Sequence, residues 1–565
     1  MKPLHEYLSI HGILAYLLTV LCCMVCTSYI FLQPLGIDTA TLLGIAKRVL
    51  SGEHLYHDMI MQQTPFSLYY YIIPVWISQL FNIEPVPAFL LFYFVVITTI
   101  ASLCLYIASS NPAYRQPEKL YFLAVFIPLL LFIYCCFTTA TDFSKKMFFW
   151  GIAFGQREHL FFILFAPYIF LTINKLHGIT DGIRLRVFTG ILGLLGCIIK
   201  PHFILMYLIS ELYLAISFKN WRIVLRTESL IILLGSPIAH LLAWAIFPEY
   251  FDSLAFFKAS IMAQRISFVL QLTRSLLVYG LASFLMICVV WLLHRVKQSP
   301  IIAETRYLLV LIGTGFLLCF IQRTGFNYHG LPMYGCMFLL LMFVLLHFRK
   351  ASTDQNYFMA VIFAAWFLLY YSQFLLALPE IADNHSVHQK QMADLRGRFH
   401  DKTFMILGTD LDPNTLTPYV GWKDISHTLS LQVVPYFYID QNKISEKINA
   451  EKIETSPCAK VCTANCAFGI DLPPARYHMP ATMPQDEKQY FDLAINDIVN
   501  KKPDLLLVEV TYGMWLFENL HFDFITYFNQ DKRFQEAFKH YHIVTLPFFS
   551  APPLFNDFVI YQKSM

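Results

Sequence analysis

Charge is what this sequence has least of. Asp, Glu, Lys and Arg make up 14% of its 565 residues and hydrophobic side chains 57%, where soluble domains carry roughly 25% charged residues. So little charge cannot coat a water-soluble fold of this size, which excludes the soluble class. The charges that remain nearly cancel, at a formal +3, and sit scattered in short linkers, so there is no basic stripe for nucleic acid. The first apolar segment, "HGILAYLLTVLCCMVCTSYIF", lacks a clear small-x-small cleavage site and exceeds a signal-peptide core, so it reads as a retained first span. No nucleotide-sugar signature and no convincing internal repeat appear, and "VIYQKSM" carries no endoplasmic-reticulum retrieval signal.

Cysteine is present without a framework. Of 13 cysteines, ten (Cys22, Cys23, Cys26, Cys104, Cys135, Cys136, Cys197, Cys288, Cys319 and Cys336) lie in apolar runs, where cysteine behaves as a small buried hydrophobe. The other three, Cys458, Cys462 and Cys466 in "SPCAKVCTANCAFG", fall short of the four ligands a structural zinc needs. In an oxidising compartment they would give one disulfide and an odd thiol, with the pairing open.

What is there is a series of apolar runs, near 12–33, 66–82, 87–109, 120–137, 159–173, 187–199, 202–217, 229–247, 275–293, 307–321, 331–346 and 357–378. They predict a polytopic α-helical membrane protein of about 11 to 13 transmembrane helices. After Leu378 the texture turns polar, dividing the chain into a membrane part (1–378) and a soluble tail (379–565) of ordinary domain size. In the tail, "TFMILGTD" and "PDLLLVEV" read as strands, "EKQYFDLAINDIVNKK" as a helix, and "HIVTLPFF" with "DFVIYQ" as a closing hairpin, so the tail reads as α/β.

The linkers "NKLHGITDGIRLR", "FKNWRIVLR", "HRVKQSPIIAETR" and "HFRKASTDQN" hold eleven Lys and Arg, which places them in the cytoplasm. Residues 138–158, Lys200, 248–273, 322–330 and the tail then face outward. Twelve full spans would return both ends to one side, so one run in the first third is re-entrant, interfacial or merged. Run 66–82, with Pro74, and run 120–137 are the candidates.

The external loop 34–65 contains "LGIDTATLLGIAKRVLSGEHLYHDMIMQQTP". An amphipathic helix starts near Asp38 and ends at Ser51-Gly52, where glycine suits a C-cap. Such a segment can lie on the membrane surface and carry Asp38 toward a lipid-borne substrate, or Asp38 can simply cap it.

An aspartate after the first span, "L-x-G", "Y-x-D" and "P-x-x-x-Y-Y" together resemble the first loop of GT-C membrane glycosyltransferases. That superfamily includes protein O-mannosyltransferases and the lipid A aminoarabinose transferase. The resemblance falls on Asp38, Gly52, Tyr56, Asp58, Pro65, Tyr70 and Tyr71, and departs at Thr39, where the family has a second acid. It implies a GT-C-like fold, transfer of a sugar from a polyprenyl-phosphate donor to a glycan, lipid or protein acceptor with inversion, and Asp38 as the general base.

Three further segments crowd ionisable groups against span ends: "FGQREHLFF" (Gln156, Arg157, Glu158, His159), "IIKPHFIL" (Lys200, His202) and "FIQRTGFNYHGLPMYG" (Gln322, Arg323, Tyr328, His329). Such groups are functional candidates. Arg157, Lys200, Arg265 and Arg323 are the cations available for a leaving phosphate. Glu158 is a second base or the group that orients acceptor or metal. His202 and His329 contact phosphate, orient a carboxylate or pack between helices. The bland alternative makes Arg157 and Glu158 a surface pair and His159 a headgroup anchor. The need for a divalent cation stays open, and "GTDLDP" (Asp410, Asp412) reads as a turn.

The expected location is a bacterial inner membrane, with the tail in the periplasm and membrane lipid as a partner. A transporter or flippase of lipid-linked saccharide, or a non-catalytic assembly subunit, is the competing class. An enzyme site requires these scattered groups to converge.

Overall fold

The structure, a computed structural model, describes residues 10–30, 35–133, 154–257, 299–322, 327–348, 390–408, 414, 417–428, 431, 434, 438, 477–509, 522–544 and 558–564. The apolar runs inside them are helices, joined by the loop helices α2 and α10: α1 (Ile10–Ile30), α2 (Ile37–Leu50), α3 (Pro65–Phe81), α4 (Pro85–Ser110), α5 (Pro117–Ile133), α6 (Arg157–Leu176), α7 (Ile183–Cys197), α8 (Ile204–Ser217), α9 (Thr227–Ile246), α10 (Glu249–Phe256), α11 (Ser299–Gln322) and α12 (Leu331–Phe348). Among the described residues, six segments are long and apolar enough to cross a membrane: Ile10–Ser28, Pro85–Ser110, Arg157–Leu176, Thr227–Ile246, Ala303–Gln322 and Tyr328–Leu346. The protein is therefore helical and membrane-embedded. Helices α3, α5, α7 and α8 have 17, 17, 15 and 14 residues, short of the roughly 20 an upright span needs. The runs 275–293 and 357–378 lie outside the described residues, as do Arg265, Arg323, Asp410, Asp412, Cys458, Cys462 and Cys466.

Contacts divide the chain into two units. The first holds the described residues up to 39, those of 64–246 and those of 299–348. Prolines open α3, α4 and α5, where a missing N–H costs nothing because the first turn has no intrahelical partner for it. Helix α6 is the axis of this unit. It is apolar on every side, 89% of its spanning window is buried, and it packs against α4, α7 and α12, as a helix hydrophobic all round must. By contrast, α9 turns Leu234, Ile238, Leu241 and Leu242 outward, a face that in a membrane protein meets lipid. The small-residue stretch "GILGLLG" lets α7 approach its neighbours closely: a Cβ on Gly190 would stand 2.9 Å from the Glu228 Cα.

The second unit holds residues 40–63, 247–257 and the described residues from 390 onward. Its sheet runs in the order β2-β1-β3-β5-β4, built from β1 (Thr403–Leu407), β2 (Lys423–Asp424), β3 (Leu505–Glu509), β4 (Tyr541–Ile543) and β5 (Phe558–Lys563). β1 pairs in parallel with β2 and β3, while β5 runs antiparallel to β3 and β4. Met405 and Leu407 enter one core with Tyr490, Phe491 and Tyr527, and Phe404 and Ile406 enter another with Phe399 and Trp422. Both faces of the strand are covered, which is why it reads as an unbroken apolar run.

The sequence reading grouped loop 34–65 with the membrane helices; by contacts, residues 40–63 pack with the tail. Arg48 fastens them there. Its guanidinium donates to Glu53 Oε2 at 2.7 Å, to the Ser426 carbonyl at 2.8 Å and to the Asp58 carbonyl at 3.2 Å. Burying a cation is costly unless it is paired and hydrogen-bonded, and this one has three acceptors. Gly52, at φ +94°, turns the chain after α2, and the Ile60 N–H donates to the His427 carbonyl at 2.7 Å.

Candidate functional site

In the first unit, the "GQREH" stretch is held by its own backbone. The Gly155 carbonyl accepts two tyrosine hydroxyls, Tyr71 at 2.6 Å and Tyr93 at 3.0 Å, and both rings are buried. The Gly155 N–H donates to His159 Nδ1 at 3.0 Å, and His159 Nε2 lies 3.0 Å from the Leu131 carbonyl. Nδ1 must therefore be the acceptor and Nε2 the donor, which fixes a neutral imidazole. Both nitrogens of His159 serve backbone, so it brackets the loop. Position 155 favours glycine: φ is +73°, and a Cβ would lie 2.3 Å from Phe89 Cζ unless that ring shifts.

That turn delivers Gln156 as N-cap, with Arg157 and Glu158 in the first turn of α6. A carboxylate there meets the positive end of the helix dipole. Glu158 is fully buried, and its Oε1 takes Lys200 Nζ at 2.5 Å and His329 Nδ1 at 2.6 Å. Lys200 also reaches Gln322 Oε1 at 3.4 Å. Arg157 points the other way, its Nη2 donating to Asp38 Oδ2 at 3.2 Å, and the Tyr328 hydroxyl donates to the same oxygen at 3.2 Å.

Four stretches of sequence thus meet in one chain of contacts: the start of α2, the start of α6, the α7–α8 break and the turn before α12. Helix breaks make this geometry. Lys200 sits in extended backbone between α7 and a short turn at Pro201–Phe203. The preceding carbonyl, Ile199, accepts the Thr64 hydroxyl at 2.7 Å, and Thr64 also caps α3. Tyr70 donates to the Leu195 carbonyl at 2.8 Å.

The two carboxylates differ in access. Asp38 keeps 27% of its side chain exposed, whereas Glu158 keeps none. Both contacts to Asp38 fall on Oδ2. Among the described residues, several buried polar atoms here have no partner: both amide atoms of Gln156, Arg157 Nε, Glu158 Oε2 and His202 Nε2. No group of three or more His, Cys, Asp or Glu among the described residues is arranged to hold a metal.

Asp58 is in the second unit, where its carboxylate accepts the His54 N–H at 2.7 Å and pairs with His57 at 2.8 Å. The His54 N–H, then His57, hold this carboxyl below its ordinary value. It closes a local turn. Arg265 and Arg323 lie outside the described residues. Sequence reasoning missed Tyr93, whose only signal was a polar atom in the middle of an apolar run, and Arg48, which looked like one more basic residue on an amphipathic helix.

No protein-family model matches this sequence, and no curated protein matches it either.

Proposed function

We propose that this protein is a membrane glycosyltransferase that takes a sugar from a polyprenyl-phosphate donor and transfers it to an acceptor hydroxyl at the outer face of a bacterial inner membrane. One observation carries the reading: residues from four distant segments come together in two adjoining clusters, Asp38 with Arg157 and Tyr328, and Glu158 with Lys200 and His329, joined along the backbone at Arg157-Glu158 and Tyr328-His329. Convergence of this kind is what a site needs and what lipid-headgroup anchors do not produce.

Asp38 is the general base, because it is the carboxylate with exposure. Arg157 and Tyr328 orient it. The acceptor oxygen gives its proton to Asp38 as it bonds the anomeric carbon, and the bond from that carbon to the phosphate oxygen breaks, leaving the electron pair on phosphate. The unpartnered Nε of Arg157 and the remaining donors of Lys200 are the groups for that charge, and preorganised cations act most strongly on charge that grows in the transition state. Glu158 is a positioning residue: fully buried, it holds Lys200 and His329 in place rather than meeting substrate. The position of the family's second acid is Thr39, so one exposed carboxylate does the work.

The test uses the full chain in lipid nanodiscs with a panel of polyprenyl-phosphate sugars, reading release of polyprenyl phosphate. Release by the wild type, abolished in Asp38→Asn with donor still bound, is the expected result. If Asp38→Asn transfers at the wild-type rate, the base assignment fails. Donor binding without release from any panel member would overturn the enzyme reading in favour of a transporter or assembly subunit.

A further inference from the structure

The far end of α6 lies about 30 Å from Arg157 and Glu158, its 20 residues rising about 1.5 Å each. There the α6–α7 and α8–α9 linkers of the first unit meet. Ile223 is buried with Leu214 and Ala215, and Leu176 packs on them, which seats the turn Trp221–Leu225 against the end of α6. Arg186 Nε donates to Glu228 Oε2 at 2.6 Å, tying the start of α7 to the start of α9.

The acids of this end are spent inside the bundle. Arg226 Nη2 donates to Glu211 Oε1 at 2.5 Å, and its Nη1 lies 3.3 Å from Glu228 Oε1. Both carboxylates are buried. Asp181, the other acid of the two linkers, accepts Ser110 and Asn174.

The cations outside this network are not spent. Arg184, Lys219 and Arg222 are exposed and Lys175 is half-buried, and among the described residues none of the four has a carboxylate partner. Apolar side chains stand out beside them: Trp221 is 67% exposed and Leu225 63%, with Phe218, Ile183 and Phe188 also exposed. Cations in linkers would orient the chain in a membrane by themselves. Orientation alone does not call for apolar side chains displayed among them. An anionic headgroup whose acyl chain continues into the bilayer matches both features, since basic residues attract it and tryptophan settles at headgroup depth.

We propose that this end of the bundle docks an anionic phospholipid, its phosphate held by Arg184, Lys219 and Arg222 and its acyl chain beside Trp221 and Leu225. The surface stands apart from the transfer reaction, at the other end of α6 from Asp38 and Arg157.

The experiment places the full chain in phosphatidylcholine nanodiscs containing a small, equal fraction of either phosphatidylglycerol or phosphatidylcholine brominated high on the acyl chain. Bromine quenches tryptophan on contact. Subtracting the Trp221→Phe counterpart of each protein isolates Trp221 from the other tryptophans of the eight. Brominated phosphatidylglycerol is expected to quench Trp221 at least about fivefold more strongly than brominated phosphatidylcholine, the enrichment that one cation supplies. The excess should vanish in R184Q/K219Q/R222Q, with an unchanged melting curve because none of these side chains is paired. Should that variant not fold, Arg222→Gln alone should still lower the excess. Equal quenching by the two lipids in the wild type overturns the proposal and leaves these cations to orientation. An excess that survives in the folded triple variant, or in Arg222→Gln where only that variant folds, overturns the assignment to these residues.

Discussion

Glu158 and Lys200 form a 2.5 Å ion pair in which the carboxylate has no exposure and the lysine side chain 12%. Removing one partner of a buried pair costs roughly 3–5 kcal/mol, because the other charge is left stranded. Lys200→Met is therefore expected to destabilise the protein by that amount, and Glu158→Gln less, since an amide keeps shape without charge. The double variant should cost at least about 1 kcal/mol less than the sum. Reversible unfolding in mixed micelles reads this coupling; strictly additive costs would deny the pair.

Arg157 contacts Asp38 through one guanidinium nitrogen and keeps Nε buried and unpartnered. Arg157→Lys preserves the charge and removes the planar fork. The expected result is a fall in turnover of about 10²-fold, as when one transition-state donor is removed, with the unfolding midpoint nearly unchanged. Wild-type turnover would place Arg157 outside the reaction.

The Gly155 carbonyl gives a second, charge-free handle. Tyr71→Phe and Tyr93→Phe each remove one hydroxyl from it, at about 1 kcal/mol each. Gly155→Ala should cost more, because it adds strain at φ +73° and a collision with Phe89. Phe89→Leu should recover part of the Gly155→Ala loss and none of the tyrosine losses. Thermal melts of the wild type, the four single variants and the three doubles with Phe89→Leu decide, and equal recovery in all three doubles would reject the collision.

Burial pushes the Asp424 carboxyl up to about 6, with Asp497 adding to the rise while Arg48 and two Ser426 hydrogen bonds pull it down. A folded-state value above the unfolded one means that the fold binds the proton more tightly. This group's contribution is thus full below about pH 4 and lost as pH rises through 6, a change on the order of 2–3 kcal/mol. Asp424→Asn keeps an acceptor for Ser426 and has no charge to bury. Relative to wild type it should be more stable at pH 7.5, with the advantage vanishing near pH 4. A pH-independent difference in melting would contradict the assignment.

Hydropathy located the helices well, because α4 and α9 carry their apolar character in one unbroken run. It was blind to the breaks that matter, such as the extended residue at Lys200, since a single charged residue before proline looks like any span boundary. In the tail, "TFMILGTD" and "PDLLLVEV" were legible as strands because both faces are apolar. The two-residue β2 was not, being too short for any period. Candidate site residues were legible as charges beside apolar runs. Their partners were not: Asp38 meets Tyr328 across 290 residues, and no local pattern encodes that separation. Arg48 and Asp424 were missed for the same reason.

The Arg48 clasp carries a consequence for how the protein is made. Its acceptor at Ser426 lies 378 residues downstream, so at roughly 5–20 residues per second a ribosome needs some 20 to 75 seconds to supply it. For that interval the early loop has emerged with Glu53 and the Asp58 carbonyl as acceptors for its arginine but without the third, at Ser426. Residues 40–63 therefore reach their final packing only after the chain around residue 426 has been made, and the order of synthesis runs opposite to the order in which this unit can close.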